Sequence, residues 1–98
     1  MSRRFSFHPM AEEELNEAAA YYEAESNGLG SAFLKEVENA VQHVLNYPES
    51  CPLVNRLVRN KLVRRFPYSV MYSVTPKGIR ILAIANQKRR PFYWRGRR

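Results

Sequence analysis

From Tyr68 to Thr75 the chain alternates with a period of two, Tyr68, Val70, Tyr72 and Val74 on one side and Ser69, Met71, Ser73 and Thr75 on the other. That period puts one residue set on each face of a pleated sheet, and aromatic and β-branched side chains favour the geometry. The stretch Arg64-Arg65-Phe66-Pro67 ahead of it reads as a tight bend. A strand reached through a bend needs neighbours, and both flanks supply them. Upstream, Arg56 to Arg65 alternates, with Leu57, Arg59, Lys61, Val63 and Arg65 on one face and Arg56, Val58, Asn60, Leu62, Arg64 and Phe66 on the other. This spacing predicts a row of Arg59, Lys61 and Arg65 on one side of a sheet. Downstream, Pro76-Lys77-Gly78 reads as a hairpin turn into Ile79 to Asn86, whose nearly unbroken apolar run predicts the most buried strand.

The first half has a different period. Ser2 to Phe7 reads as a short strand with Phe5 and Phe7 on one face, and His8-Pro9 stops it. Proline suits the first position of a helix, where its missing N–H has no partner to lose, and Glu12, Glu13 and Glu14 sit at the positive end of the dipole. Ala11, Leu15, Ala18, Ala19 and Tyr22 then form one apolar stripe, and Ser26-Asn27-Gly28 turns the chain. A second helix is predicted from Leu29 to Asn46, because Phe33, Val37, Ala40, Val41, Val44 and Leu45 repeat the helical spacing and Tyr47-Pro48 ends it. Pro48 and Pro52 make the segment that follows a loop.

The order is strand, two helices, three strands. It predicts an α+β fold, β-α-α-β-β-β, in which a helical hairpin packs on one face of a mostly antiparallel four-stranded sheet and the other face is left free. A short basic and aromatic tail, Asn86 to Arg98, completes the chain. With 98 residues there is room for one domain, 1–98, around one core. No apolar run approaches the roughly 18 residues a membrane span needs, so a cytoplasmic protein that avoids membranes is expected. Cys51, the single cysteine, has no partner for a disulfide, and His8 and His43 lack ligand spacing, so neither metal nor cofactor is expected.

Charge is strongly segregated. All nine acids lie between Glu12 and Glu49, against three bases from the N-terminus to that point, a balance of −6. From Ser50 onward there are thirteen Lys and Arg residues and no acid. A field of one sign over half a chain attracts phosphate backbones or an acidic protein. Chemistry in that half must use Arg, Lys, Tyr or Asn, because paired carboxylates, a phosphate-cradling glycine loop and a Cys-His pair are all missing. Cleavage of RNA by its own 2′-OH suits those groups: it needs in-line positioning, neutralisation of the oxyanion and a proton for the leaving oxygen. Phe92, Tyr93 and Trp94 beside Arg95 fit either a stacking platform for bases or a hydrophobic staple that packs the C-terminus onto the core.

Taken together, the N-terminal strand, Ala11, Leu15, Ala18 and Tyr21-Tyr22, Phe33 and Val37, Tyr47-Pro48, Val58-Arg59, Phe66-Pro67-Tyr68 with Tyr72, and Arg89-Arg90-Pro91 with Trp94 and Arg95 resemble the RelE/ParE superfamily of bacterial toxin–antitoxin toxins, of the plasmid stabilisation type. The resemblance implies a small toxin held inactive by a cognate antitoxin that brings acidic side chains. It also implies a target: messenger RNA on the ribosome, cut by RelE-like members, or DNA gyrase, poisoned by ParE-like ones. The expected mechanism is ribosome-dependent cutting of messenger RNA by a metal-independent endoribonuclease, with a gyrase inhibitor or a catalytically silent RNA-binding module as alternatives. On the nuclease reading Arg89 neutralises the scissile phosphate, Arg65 and Arg59 clamp its neighbours, and Tyr93 stacks or relays a proton. Lys61, Lys88, Arg90 and Arg95 add RNA contacts. Two positions depart from RelE-like nucleases: Ser69 stands where an arginine is usual, and Asn86 where related members often carry histidine.

Overall fold

A computed structural model describes residues 4–98. The elements run β1 (Phe5–Phe7), α1 (Pro9–Glu25), α2 (Leu29–Asn46), β2 (Val58–Leu62), β3 (Tyr68–Thr75) and β4 (Gly78–Asn86). The sheet order is β1-β4-β3-β2, with β1 parallel to β4 and the other pairs antiparallel. Both helices pack on one face, as the strand and helix order predicts. Two strands are shorter than expected. β1 starts at Phe5, and Ser2 and Arg3 lie outside the described residues. β2 ends at Leu62, and Arg65 sits beyond it in the bend with φ +72°, which breaks the alternation that would have aligned it with Arg59 and Lys61.

Local chemistry sets each boundary. His8 caps α1 by accepting the Met10 N–H at its Nδ1 (3.0 Å), and Pro9 follows at the first helical position. Gly28 turns the chain in the left-handed region (φ +86°). Glu23, near the end of α1, accepts the Gly28 and Gly30 N–H groups at 2.9 and 3.0 Å, satisfying donors at the start of α2. Gly30 is required by proximity: a Cβ there would lie 2.5 Å from the Ala19 carbonyl oxygen and 2.9 Å from Glu23 Cβ. The two helices therefore cross with backbone close against backbone at this point.

The principal core lies between the helices and the sheet. Phe33, Val37, Val44, Val70, Tyr72, Ile79, Ile81 and Ile84 are all buried within it. Phe33, Tyr22, Phe66 and Tyr68 meet mostly edge to face, with centroids 4.9–6.2 Å apart. Burying a side chain such as Phe33 contributes about 2–3 kcal/mol.

The far face of the sheet is not free. A β-bulge between β3 and β4 pairs Met71 with Ala83 but Tyr72 with Ile81, leaving Leu82 as the extra residue. Leu82 and Ala83 therefore both join Val58, Met71 and Ala85 in a second apolar cluster, and Trp94 from the C-terminal tail is buried against it at 5% exposure. The bulge gives β4 two apolar faces, and an uncovered one would hold a patch of exposed hydrophobic surface. The staple reading of Trp94 is the one the fold adopts.

Gly30→Ala is expected to lower the unfolding free energy by about 1–3 kcal/mol, because the helix pair must separate to admit a methyl group. Urea denaturation would show a lower midpoint at unchanged slope; an unchanged midpoint would contradict the close crossing.

Candidate interaction surface

The sequence-predicted site residues divide between the two faces of the sheet. Arg59, on β2, turns to the helix side, where its Nη1 donates to the Cys51 carbonyl (2.7 Å) and the Glu49 carbonyl (3.2 Å). The guanidinium thus secures the loop after α2, which Tyr72 also holds by donating its hydroxyl to the Pro48 carbonyl (2.7 Å). Lys61, two residues on, lines a groove against Glu36, Asn39 and His43 of α2. Arg65 is exposed at the bend, its guanidinium 5.5 Å from the Phe66 ring centre.

On the opposite face the tail gathers the remaining residues. After β4, Asn86 turns the chain by accepting the Lys88 N–H at its side chain (2.8 Å) and the Arg89 N–H at its carbonyl (3.0 Å). Successive turns follow, with Phe92 (φ +61°) and Gly96 (φ +91°) in the left-handed region. A cleft of about 260 Å³ opens between tail and sheet, lined in part by Asn60, Leu62, Ser69, Asn86, Arg89, Arg90, Phe92 and Tyr93. Arg89 and Arg90 are exposed at its lining, and Lys88 and Arg95 are exposed elsewhere along the tail. Arg95 lies 5.3 Å from the ring centre of Phe92, which is itself 39% exposed. The result is a basic and aromatic surface of the kind that grips an acidic partner or a phosphate backbone.

Tyr93 is held differently. Its ring lies beneath the Arg89 guanidinium at 3.8 Å and near that of Arg97 at 5.1 Å. Its hydroxyl is buried and makes no hydrogen bond of good geometry. Burial, and then the neighbouring Glu14 carboxylate, push its pKa well above the ordinary tyrosine value, against the opposing pull of Arg89 and Arg97.

Glu14 is the residue that sequence reasoning did not assign to this region. β1 pairs with β4 only through Ile79–Ile81, so the rest of that β4 edge has no strand beside it. Glu14 Oε1 accepts the Ile84 N–H (3.1 Å), and Arg97 donates to the Leu82 carbonyl (3.0 Å). The two side chains meet in a two-pronged ion pair at 3.0 Å on each arm, Arg97 8% and Glu14 14% exposed. Arg89 approaches the same carboxylate at 3.8 Å, an ion pair without a hydrogen bond. Arg80 fixes the end of the tail, donating to Ser6 Oγ (3.0 Å), the Phe7 carbonyl (3.1 Å) and the Arg98 carbonyl (3.0 Å). No group of three His, Cys or Glu side chains among the described residues could hold a metal ion. None of the described helices is long and apolar enough to cross a membrane.

A two-helix hairpin on a four-stranded mixed sheet, with a basic tail closing the far face, defines the toxin fold of the RelE/ParE superfamily. The family model described as the ParE toxin of the type II toxin–antitoxin system parDE matches residues 5–91, and the chain belongs to that family. A solved structure described as the chromosomal ParDE toxin–antitoxin system from P. aeruginosa has the same fold, with a TM-score of 0.73 and 19% identity over 87% of this chain and 96% of that one. No curated protein sequence matches significantly.

The raised phenols give the fold an alkaline limit. Tyr72, like Tyr93, titrates above the ordinary value, chiefly through burial and secondarily through the Cys51 thiol, with Arg59 opposing. The folded state holds these protons more tightly than the unfolded chain does, so their stabilisation is complete below about pH 10 and is lost as pH rises beyond it. Stability measured by urea unfolding is expected to fall steeply above pH 10, and Tyr72→Phe is expected to flatten part of that fall. An equal slope in the variant would contradict the assignment.

Proposed function

We propose that this chain is the growth-inhibiting toxin of a two-component system, neutralised by a cognate antitoxin, and that it acts by holding DNA gyrase rather than by cutting messenger RNA. The observation that carries this reading is the state of Tyr93. A nuclease of the expected type needs a hydroxyl or other acid–base group within reach of the scissile phosphate. The Tyr93 hydroxyl is buried, its pKa is raised, and two guanidinium groups flank the ring. Arg59, assigned to a flanking phosphate, already serves two carbonyls on the other side of the sheet. Ser69 and Asn86 line the cleft where RelE-like nucleases and their relatives carry a basic or titratable side chain.

What remains exposed is suited to binding. Lys88, Arg89, Arg90, Phe92 and Arg95 combine positive charge with an accessible ring and have no acid–base pair among them. Membership of the ParE family supports the same choice of target. The antitoxin reading rests on that family too, with the acid-free half of the chain offering the charge an acidic partner would neutralise.

The purified chain is expected to inhibit supercoiling by gyrase, and its induction in cells to raise the DNA-damage response before protein synthesis falls. Arg90→Ala and Arg95→Ala, which remove exposed charge, are each expected to weaken inhibition by about tenfold, equivalent to about 1.4 kcal/mol of binding. Cleavage of ribosome-bound messages with gyrase untouched would overturn the proposal in favour of the nuclease.

A further inference from the structure

We propose that Glu14 is a positioning residue for the C-terminal tail: through Arg97 it holds the tail in the one arrangement that presents the basic and aromatic surface to the target. The proposal rests on the toxin reading above but not on which target the toxin takes.

Arg97 is nearly buried, and a buried guanidinium is tolerated only when paired and hydrogen-bonded. Its partners are Glu14 and the Leu82 carbonyl, so the tail's ionic anchorage at this point lies on α1 and on the open edge of β4. Glu14 is at the same time the carboxylate that Arg89 approaches. One side chain thus touches the start and the end of the tail.

The segment between those two points includes Phe92 and Gly96, both in left-handed backbone conformations, and Phe92 is not a residue that adopts φ +61° without constraint. That turn is what leaves the Phe92 ring partly exposed with Arg95 above it while Trp94 faces inward. A tail freed at Arg97 would sample many arrangements, and binding would then bear the entropy of ordering it again. Glu14 contributes to function by prior ordering and makes no contact with the target itself.

Trp94 is the only tryptophan in the chain, so its emission reports tail docking directly. Glu14→Gln keeps the size and one acceptor for the Ile84 N–H but removes the charge. It is expected to leave the far-UV circular dichroism of the folded chain in place, to shift Trp94 emission to the red with easier acrylamide quenching, and to reduce growth inhibition by roughly tenfold or more. Arg97→Met tests the same pair from the other side and leaves the Glu14 bond to Ile84 untouched, so it decides the matter should Glu14→Gln fail to fold. Glu13→Gln, at an exposed position one residue away, is expected to change neither readout. Unchanged Trp94 emission in both pair variants would overturn the proposal. So would a released tail with full growth inhibition. Growth inhibition is scored without reference to gyrase, so a wild-type chain that arrests growth but does not bind gyrase would sink the choice of target and leave this inference standing. A wild-type chain that arrests nothing would overturn both the toxin reading and the functional role of Glu14.

Discussion

β4 has to be covered twice. It lies between β1 and β3, carries Ile79, Ile81 and Ile84 to the helix side, and through its bulge delivers Leu82, Ala83 and Ala85 to the other. A strand apolar on both faces cannot border water on either without loss of the burial that drives folding. The helical hairpin meets the first requirement. The second falls to a tail with no strand or helix of its own, which succeeds because Trp94 supplies area and the ion pair of Glu14 with Arg97 supplies direction.

That constraint reshapes the electrostatics. Thirteen bases without an acid in the second half of the chain give a field of one sign, but the fold uses part of it internally. Arg59 binds loop carbonyls, Arg80 ties β1 to the tail, and Arg97 is neutralised by the other half of the chain through Glu14. Of those left over, Lys88, Arg90 and Arg95 are exposed along the tail with Phe92, and Arg89 beside them also reaches Glu14. The exposed basic and aromatic residues thus lie beside a structural seam that buries the Tyr93 hydroxyl and sets the Arg89 guanidinium against its ring.

The sequence exposed those parts of the fold where local signals agree with tertiary ones. α2 is bounded as read, Leu29–Asn46, because a glycine turn and a proline exit flank a strongly periodic stripe. β3 is bounded as read because aromatic and β-branched residues recur at every second position between the Phe66-Pro67 bend and the Pro76-Lys77-Gly78 turn. β2 is shorter than its pattern suggests, because a left-handed residue at Arg65 ends the alternation and no composition rule places one there. The bulge leaves no mark in a run as uniformly apolar as Ile81 to Ala85. Glu14 looked like one of three acids favouring a helix start, and its partner is 83 residues away in sequence, beyond the reach of any local pattern. The basic and aromatic character of the tail was legible, and Arg89, Arg90 and Tyr93 line one cleft there. The arrangement of the candidate site was not legible, since the face to which Arg59 and Lys61 turn depends on the register of β2 against β3.

The tail is a packed layer of the fold, oriented by Trp94 and Arg97. Nuclear Overhauser contacts from the Trp94 indole in the intact chain test this packing most directly. Contacts to the methyl groups of Met71, Leu82 and Ala83 are predicted, with slow exchange of the Ile84 amide beside Glu14. An indole with random-coil shifts and no contact to the sheet would mean that the tail does not pack on β4.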